Sequence, residues 1–548
     1  MKYVQMLKKE FKGYNAKSLT ADLLSGITVA AVALPLALAF GVSSGADAAA
    51  GLITAIIAGL VISTLSGGYY QISGPTGAMA AILMSVVARY GMQGVFVATF
   101  LAGVILVLCG VLKLGRLTSF IPMPVITGFT SGIAVIIALG QVDNFFGVTS
   151  VGETAVQKLL SYGTLGFSPN WTALLMGLGV VLFMAFFPKK WNAVVPASLL
   201  SIILATAVSM IFHLDVKPVG TIPSTLLPET RLTLSALDMN TVTAMLSPAF
   251  SVAILGMIES LLCGASAGRM TGTRLDSDQE LIAQGVGNMV LPFFGGIPAT
   301  AAIARTSVAI KSGAKTRMAG IFHALALLIF MLALSPVMSQ IPLCALAGVL
   351  MVTAWRMNEW HAIKFLLNHK LKSSLLMFFA TMIATIVFDL TMAIVIGVGL
   401  GIIVLLSRLS HLEIKFAEVD CDRLDIHDEA VRARLAGAMT CYVNGPIMFA
   451  NAQSMEGLAD KLTNCHTVFM SLRGCSDMDV SGAQAMVNLA ATLKARGTTL
   501  VLTGLPEKAK IMADRCGLTE AIGEDHMYHA MDRAILGYHA GEQDAVEA

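Results

Sequence analysis

Between about residues 21 and 411 the chain is a succession of apolar runs of roughly 18–25 residues, each long enough to cross a ~30 Å hydrocarbon core. Inside a bilayer every backbone polar group has to be satisfied within the protein, so such runs fold as spanning helices. The fold expected is therefore a polytopic α-helical membrane protein. Composition agrees. Only 13% of the residues are charged and 56% are hydrophobic, whereas a soluble domain is about a quarter charged. Charge returns at about residue 412, within "LLSRLSHLEIK". That sets three expected regions: a lead-in over 1–20, a membrane domain over 21–411 and a soluble domain over 412–548. The net charge of +2 offers no nucleic acid a binding surface.

The opening "MKYVQMLKKEFKGYNAKSLTADLL" is basic, but the apolar run after it is too long for a signal-peptide core and has no small-residue cleavage site. It reads as an amphipathic cytoplasmic lead-in to the first span. The 8 cysteines form no CxxC pair and no Cys/His cluster. They suit reduced thiols, and neither a metal nor a cofactor is expected.

Spans of this length number about fourteen, centred near Leu34, Ile57, Leu83, Ile105, Ile133, Val180, Leu199, Ile254, Val290, Ala304, Leu327, Leu346, Ala380 and Val398. Connections after even-numbered spans carry Lys113 and Arg116, Lys189 and Lys190, Arg269 and Arg274, Lys311, Lys315 and Arg317, and then Arg356, Lys364, Lys370 and Lys372. Those after odd-numbered spans hold little beyond Lys158, Lys217 and Arg231. The positive-inside rule then predicts a multi-pass inner-membrane protein with both termini in the cytoplasm.

Two segments are poor ordinary spans: "GGYYQISGPTGAMAAIL" from Gly67 and "FFGGIPATAAIARTSV" from Phe293. Each has a glycine pair, a short extended stretch, a proline and then small residues entering a helix. They are the third and tenth segments, matching places in two halves of seven. An odd number of spans per half inverts the second half. Interrupted segments in matched positions point to a transporter's binding site. Half-helices entering from opposite sides aim unpaired N–H groups and positive dipole ends at one another. Thr76, Gly77 and Ala78 on one side, and Ala301, Ala302 and Ile303 on the other, would hold a small oxyanion by main-chain donors. The competing reading is that these small residues only permit close helix packing.

Two ionisable groups lie in apolar surroundings. Glu259 sits in "SVAILGMIESLLCGASAG", and Arg305 follows the start of the second broken helix. Facing lipid, each would cost about 2.5–3.5 kcal/mol or more, so both should face the interior. Arg305 then attracts the anion and Glu259 is a coupling site. Alternatively the two pair with each other or with backbone and hold the fold. Asp22 and Asp143 read as helix-end residues and Arg89 as a snorkelling one.

From residue 412, strands and helices alternate. "AMTCYVNGPIMF" reads as a strand pair, "HTVFMSLRGC" and "TTLVLTGL" as strands, and "AQSMEGLADKLTN", "SGAQAMVNLAATLKARG", "EKAKIMADRCG" and "MYHAMDRAIL" as helices. This is a small α/β layer fold. With no phosphate loop, triad or metal cluster anywhere, the chain reads as no enzyme.

Together "VALPLALAFG", "SGPTGAM" and "RLDSDQELIAQGVGNMVLPFFGGIPATAAIARTSV" resemble the SulP family of anion permeases, and "SDMDVSGAQAM" resembles the most specific loop of the STAS domain. The resemblance implies a seven-plus-seven inverted repeat like that of uracil permeases. A core domain (segments 1–4 and 8–11) moves against a gate domain (segments 5–7 and 12–14), in a homodimer among membrane lipids. It implies an anion site at Phe40, Thr76 to Ala78 and Ala301 to Arg305, with Glu259 beside it. Leu36 stands where many members have Gln, as in the bicarbonate-transporting branch. That branch's sodium ligands correspond to Glu259, Cys263 and Ile303, and a thiol and an alkyl group are poor sodium ligands. A proton on Glu259 is therefore the expected coupling ion. Sulfate, bicarbonate and C4-dicarboxylates all stay open as substrates. Ser481 falls where related soluble domains are phosphorylated, or else it is a helix N-cap. Three functional readings follow: a secondary transporter, a channel or motor-like protein on the same scaffold, or a membrane-anchored signalling protein. Glu259 favours the first, since a channel needs no coupling acid.

Overall fold

A computed structural model of the chain describes residues 2–116, 121–152, 155–188, 191, 196–222, 225–233, 238–388, 390–462 and 465–540. Lys189 and Lys190 lie outside the described residues. The chain divides into two compact units, Met1–Gly399 and Leu400–Ala548.

The first unit is helical. After α1 (Lys2–Glu10) come α2 (Ala16–Ser43) and α3 (Ala48–Leu65), started by the side chains of Asn15 and Asp47 accepting from Ser18 N and Ala50 N. A two-residue strand, β1 (Ser73–Gly74), leads into α4 (Gly77–Val111). Helix α4 kinks at Gly91, where φ is 64° and ψ is −171°. Only glycine takes that backbone without strain, and the two arms of α4 are the third and fourth expected segments. Helices α5 (Met123–Gly140), α6 (Val142–Phe146), α7 (Ala155–Leu165), α8 (Trp171–Phe186) and α9 (Ala197–Ile211) complete the first half.

The second half repeats the order. Helix α10 (Met239–Thr271) is followed by α11 (Ser277–Val290), β2 (Thr300–Ala301) and α12 (Ile303–Lys311). Then come α13 (Met318–Met338), α14 (Leu343–Met357), α15 (Trp360–Asn368), α16 (Lys372–Val387) and α17 (Leu390–Leu409). Helix, helix, strand, helix thus occurs twice, as the inverted repeat requires. Among the described residues, 6 helices are long and apolar enough to cross a membrane, and 5 shorter apolar ones accompany them. Val290, expected at a segment centre, instead ends α11. A 3-10 turn over Leu291–Phe294 and extended backbone follow it. Asp22 is a second correction. It lies inside α2 and accepts from Lys315 N (2.6 Å), Thr316 N (3.1 Å) and Thr316 Oγ1 (2.6 Å), so it fixes the approach to α13.

Two bundles result. Helix α4 packs on α10 and α11, and α13 packs on α2 and α3. Separately, α5 packs on α16, and α8 on α14 and α9. The first bundle rests on backbone approach. A Cβ at Gly103 would lie 2.6 Å from Gly285 O, and one at Gly285 would lie 2.7 Å from Gly103 O and 2.6 Å from Val107 Cγ2. Small residues at such a crossing let van der Waals packing act where lipid removes the hydrophobic drive.

The second unit has a five-stranded sheet in the order β3 (Glu413–Glu418), β4 (Met439–Asn444), β5 (Thr467–Gly474), β6 (Thr499–Thr503) and β7 (Met527–Tyr528). Strand β3 is antiparallel to β4, and the remaining pairs are parallel. One face buries Met470, Leu472 and Leu502 against Met486, Leu489 and Leu493 of α18 (Val480–Ala495). The other buries Phe469 and Val501 with Ile535. The expected strand pair over 438–449 is corrected. Only β4 is a strand there, Gly445 has φ 121°, Ile447 bridges to Met478, and the partners of β4 are β3 and β5.

The Gly103–Gly285 crossing yields a test. Gly285→Val should destabilise the purified protein by about 1–3 kcal/mol, the usual range for overpacking. Thermal unfolding in detergent reads this, and an unchanged midpoint would mean that the helices part there freely.

Candidate functional site

The two interrupted segments meet. Ser73 pairs with Ala301 and Gly74 with Thr300 in an antiparallel ladder. Backbone of this kind survives at membrane depth only when protein supplies its partners. Ala302 N donates to Ile72 O (3.0 Å), and Ile72 N donates to Thr306 Oγ1 (3.0 Å). Thr54 of α3 accepts from Ile297 N (2.8 Å). Gln71 Nε2 donates to Ser260 O (2.8 Å) on α10. Helices α4 and α12 both begin at this ladder.

Glu259 of α10 stands between the two starts. Its Oε2 accepts from Thr76 Oγ1 at 2.9 Å and from Thr300 Oγ1 at 2.6 Å. Thr76 is the N-cap of α4 and also accepts from Met79 N. One carboxylate oxygen is therefore shared by hydroxyls from both halves, and Glu259 is only partly buried. Neither threonine was assigned to Glu259 from the sequence. The signal was present, because each follows the proline of its matched segment, as "PT" and "PAT".

Main-chain donors differ in part from the expected set. In α4, intrahelical bonding starts with Ala80 N to Thr76 O (3.0 Å), which leaves the amides of Gly77 and Ala78 ahead of it. In α12 it starts with Thr306 N to Ala302 O (2.9 Å). Ala301 N donates to Ser260 Oγ (3.3 Å) and Ala302 N to Ile72 O, so both amides are engaged by the protein. The first-turn donors of α12 are those of Ile303, Ala304 and Arg305. Ile303 is 44% exposed, and Phe40 is buried. A Cβ on Gly77 would lie 3.0 Å from Phe40 Cε1 and 2.3 Å from Ile137 Cδ1, so Phe40 and Ile137 close over the first turn of α4.

Arg305 faces inward and is 2% exposed. Its Nη2 donates to Pro75 O at 2.9 Å, bracing the start of α12 against the end of β1. Nη1 lies where a side chain on Gly74 would stand, 2.5 Å from that Cβ position. Among the described residues no ion pair joins Arg305 to Glu259. Cys263 is bonded to Thr306 Oγ1 (3.2 Å) and makes no hydrogen bond to Glu259.

Ser481 is not the N-cap of α18. Asp479 is, with Oδ1 accepting from Gly482 N at 2.8 Å. Ser481 is exposed in the first turn. Nearby, the Lys508 ammonium 2.6 Å from Asp477 holds that carboxyl below its usual range.

Comparison with known proteins adds a lineage. The sequence profile of the Sulfate permease family matches residues 19–409, and that of the STAS domain matches 431–534. The putative sulfate transporter YvdB of Bacillus subtilis is 35% identical, over 95% of this chain and 98% of that one. The bicarbonate transporter BicA of Picosynechococcus is 28% identical over 97% of each chain. The solved transmembrane domain of a cyanobacterial BicA superposes with TM-score 0.65 at 31% identity, covering 69% of this chain and 98% of that one. The inward-facing murine Slc26a9 anion transporter shares the fold, with TM-score 0.83 at 19% identity over 96% of this chain and 93% of that one.

The Arg305 brace is testable without any ligand. Arg305→Ala removes a charged donor from a buried carbonyl and should destabilise the protein by about 1.5–3 kcal/mol. A detergent melt matching wild type would show that Pro75 O needs no such partner.

Proposed function

Because the chain belongs to the sulfate permease family, we propose that it is a secondary active transporter of a small oxyanion, coupled to protons and working by alternating access. The anion sits between the first turns of α4 and α12, against Phe40, the amides of Gly77 and Ala78, and those of Ile303 to Arg305. The substrate is sulfate, bicarbonate or a C4-dicarboxylate. The relatives are transporters, named for sulfate or bicarbonate, and no enzymatic step is needed.

The observation that carries this reading is the Glu259 carboxylate, bonded to hydroxyls at the start of both helices. Its charge stands where an anion would bind. Two like charges ~4 Å apart at an effective dielectric of ~20 repel by about 4 kcal/mol. Protonating Glu259 removes that repulsion, so proton and anion bind together and leave together. A channel would gain nothing from this arrangement.

A sodium-coupled reading has its own support. The Thr76 and Thr300 oxygens are hard ligands that Cys263 and Ile303 lack. Sodium would replace the proton on Glu259 with the same electrostatic result. The loop charges support an inner-membrane protein with cytoplasmic termini, and the family resemblance supports a homodimer among lipids. We assign transport to residues 21–411, regulation to 412–548 and the lead-in to 1–20. Ser481, exposed at the positive end of α18, is a site where phosphate would be welcome.

Uptake of labelled sulfate, bicarbonate and fumarate into proteoliposomes, under imposed proton or sodium gradients, is the deciding experiment. Glu259→Gln should still bind and exchange anion but lose accumulation driven by an inward proton gradient. Proton-driven accumulation that survives this change, or a strict sodium requirement in wild type, would remove the proton assignment. Ala302→Trp should abolish binding sterically, and Arg305→Ala should weaken it less, since main-chain donors remain. Unaltered affinity in Ala302→Trp would move the site elsewhere.

A further inference from the structure

Helix α11 carries three buried polar side chains one turn apart: Glu280, Gln284 and Asn288. Glu280 and Gln284 are 0% exposed and Asn288 is 1% exposed. Residues at i, i+4 and i+8 share one helix face, so together they form a stripe. Nothing in the transport reading uses it.

The stripe grips both crossovers. Glu280 Oε2 accepts from Ser66 Oγ (2.5 Å) and Gly67 N (3.0 Å), where the chain leaves α3 for β1. Glu280 Oε1 accepts from Gln284 Nε2 (2.8 Å), which also donates to Ser73 Oγ (2.9 Å) in β1 itself. Asn288 turns to the other segment. Its Oδ1 accepts from Ala299 N and its Nδ2 donates to Ala299 O, both at 2.9 Å. Its amide thus serves as a strand edge for the residue just before Thr300. One rigid helix face holds Gly67 and Ser73 on one side and Ala299 on the other.

We propose that this stripe sets the register of β1 against β2, and that Asn288 and Gln284 are positioning residues for anion affinity. The inference rests on the anion-site reading above. Thr76 and Thr300 reach the same carboxylate oxygen only while Gly74 stays opposite Thr300. A shift of about a bond length would part the two helix starts without touching any group that meets the anion. Asn288 controls the Thr300 side and Gln284 the β1 side. Asn288 acts through the Ala299 backbone and Gln284 through the Ser73 hydroxyl.

The test is uptake kinetics in proteoliposomes with the best-transported of the three anions. Losing two hydrogen bonds that aim the site should raise KM about tenfold or more in Asn288→Ala, with the maximal rate within about twofold. Gln284→Met keeps length and burial but loses the Nε2 donor to Ser73 Oγ and Glu280 Oε1, and should raise KM by a smaller factor. It also serves if Asn288→Ala fails to assemble. Leu281→Ala is the comparison, because Leu281 is equally buried on α11 and makes no polar contact with either strand. It should lower the melting midpoint while leaving KM unchanged. Wild-type KM in both Asn288→Ala and Gln284→Met would overturn the inference. So would a rise in Leu281→Ala as large as theirs, since the effect would then be general loosening. Anion binding that Ala302→Trp leaves intact would overturn the site reading, and this inference with it.

Discussion

Everything in the membrane unit depends on one constraint: backbone that is not helical must find hydrogen-bond partners away from water. Two helices are interrupted near Pro75 and Pro298, and each interruption frees several amides and carbonyls. A buried group left unpaired costs about 1–3 kcal/mol, so several together would outweigh the stability of an ordinary domain. The protein answers with side chains from neighbouring helices. Thr54, Ser260, Asn288, Arg305 and Thr306 each take one or more of these groups. The helices that supply them must then lie close, which is why glycines at the α4–α11 crossing bring backbones into contact. The site follows from solving this bonding problem.

Each half depends on the other. The first interruption is held by α11 and α12 from the second half, and the second is held in part by α3 from the first. Neither interrupted segment completes its bonding within its own repeat. The arrangement also explains why a carboxylate is tolerated beside two helix starts. Glu259 is bonded from both sides by hydroxyls, and positive dipole ends lie next to it. Among the described residues no ion pair accompanies it, so these hydroxyls are its side-chain partners.

Much of this was legible in the sequence. The run of apolar segments, the matched Gly/Pro interruptions and the alternation of loop charge define the repeat, because each reflects a bilayer constraint with a fixed length or period. Glu259 and Arg305 stood out as charges in apolar text. Sequence did not show what each charge touches. Arg305 turns away to Pro75 O and Glu259 takes two threonines, because the pairing depends on where two distant segments cross. The commitment of Ala301 and Ala302 amides was hidden for the same reason. In the soluble unit, β3 alternates cleanly, with Ile414 and Phe416 half-buried between exposed neighbours, but it overlaps the stretch "LLSRLSHLEIK" that reads as the domain boundary. The N-cap went to Ser481 when Asp479, two residues earlier, had the better geometry.

The shortness of the β1–β2 ladder has a consequence for how such a chain tolerates change in length. With only two residue pairs, the ladder has no slack, and adjacent strand residues point to opposite faces. Adding or deleting one residue between Gly67 and Thr76 would turn Ser73 away from α11 and set Thr76 off from Glu259. The same holds from Gly295 to Ala302. The spacing of each interruption is therefore tied to that of the other, although more than two hundred positions separate them along the chain. A hybrid that joins halves of two related permeases would have to match in this spacing before any likeness in the spanning helices could matter.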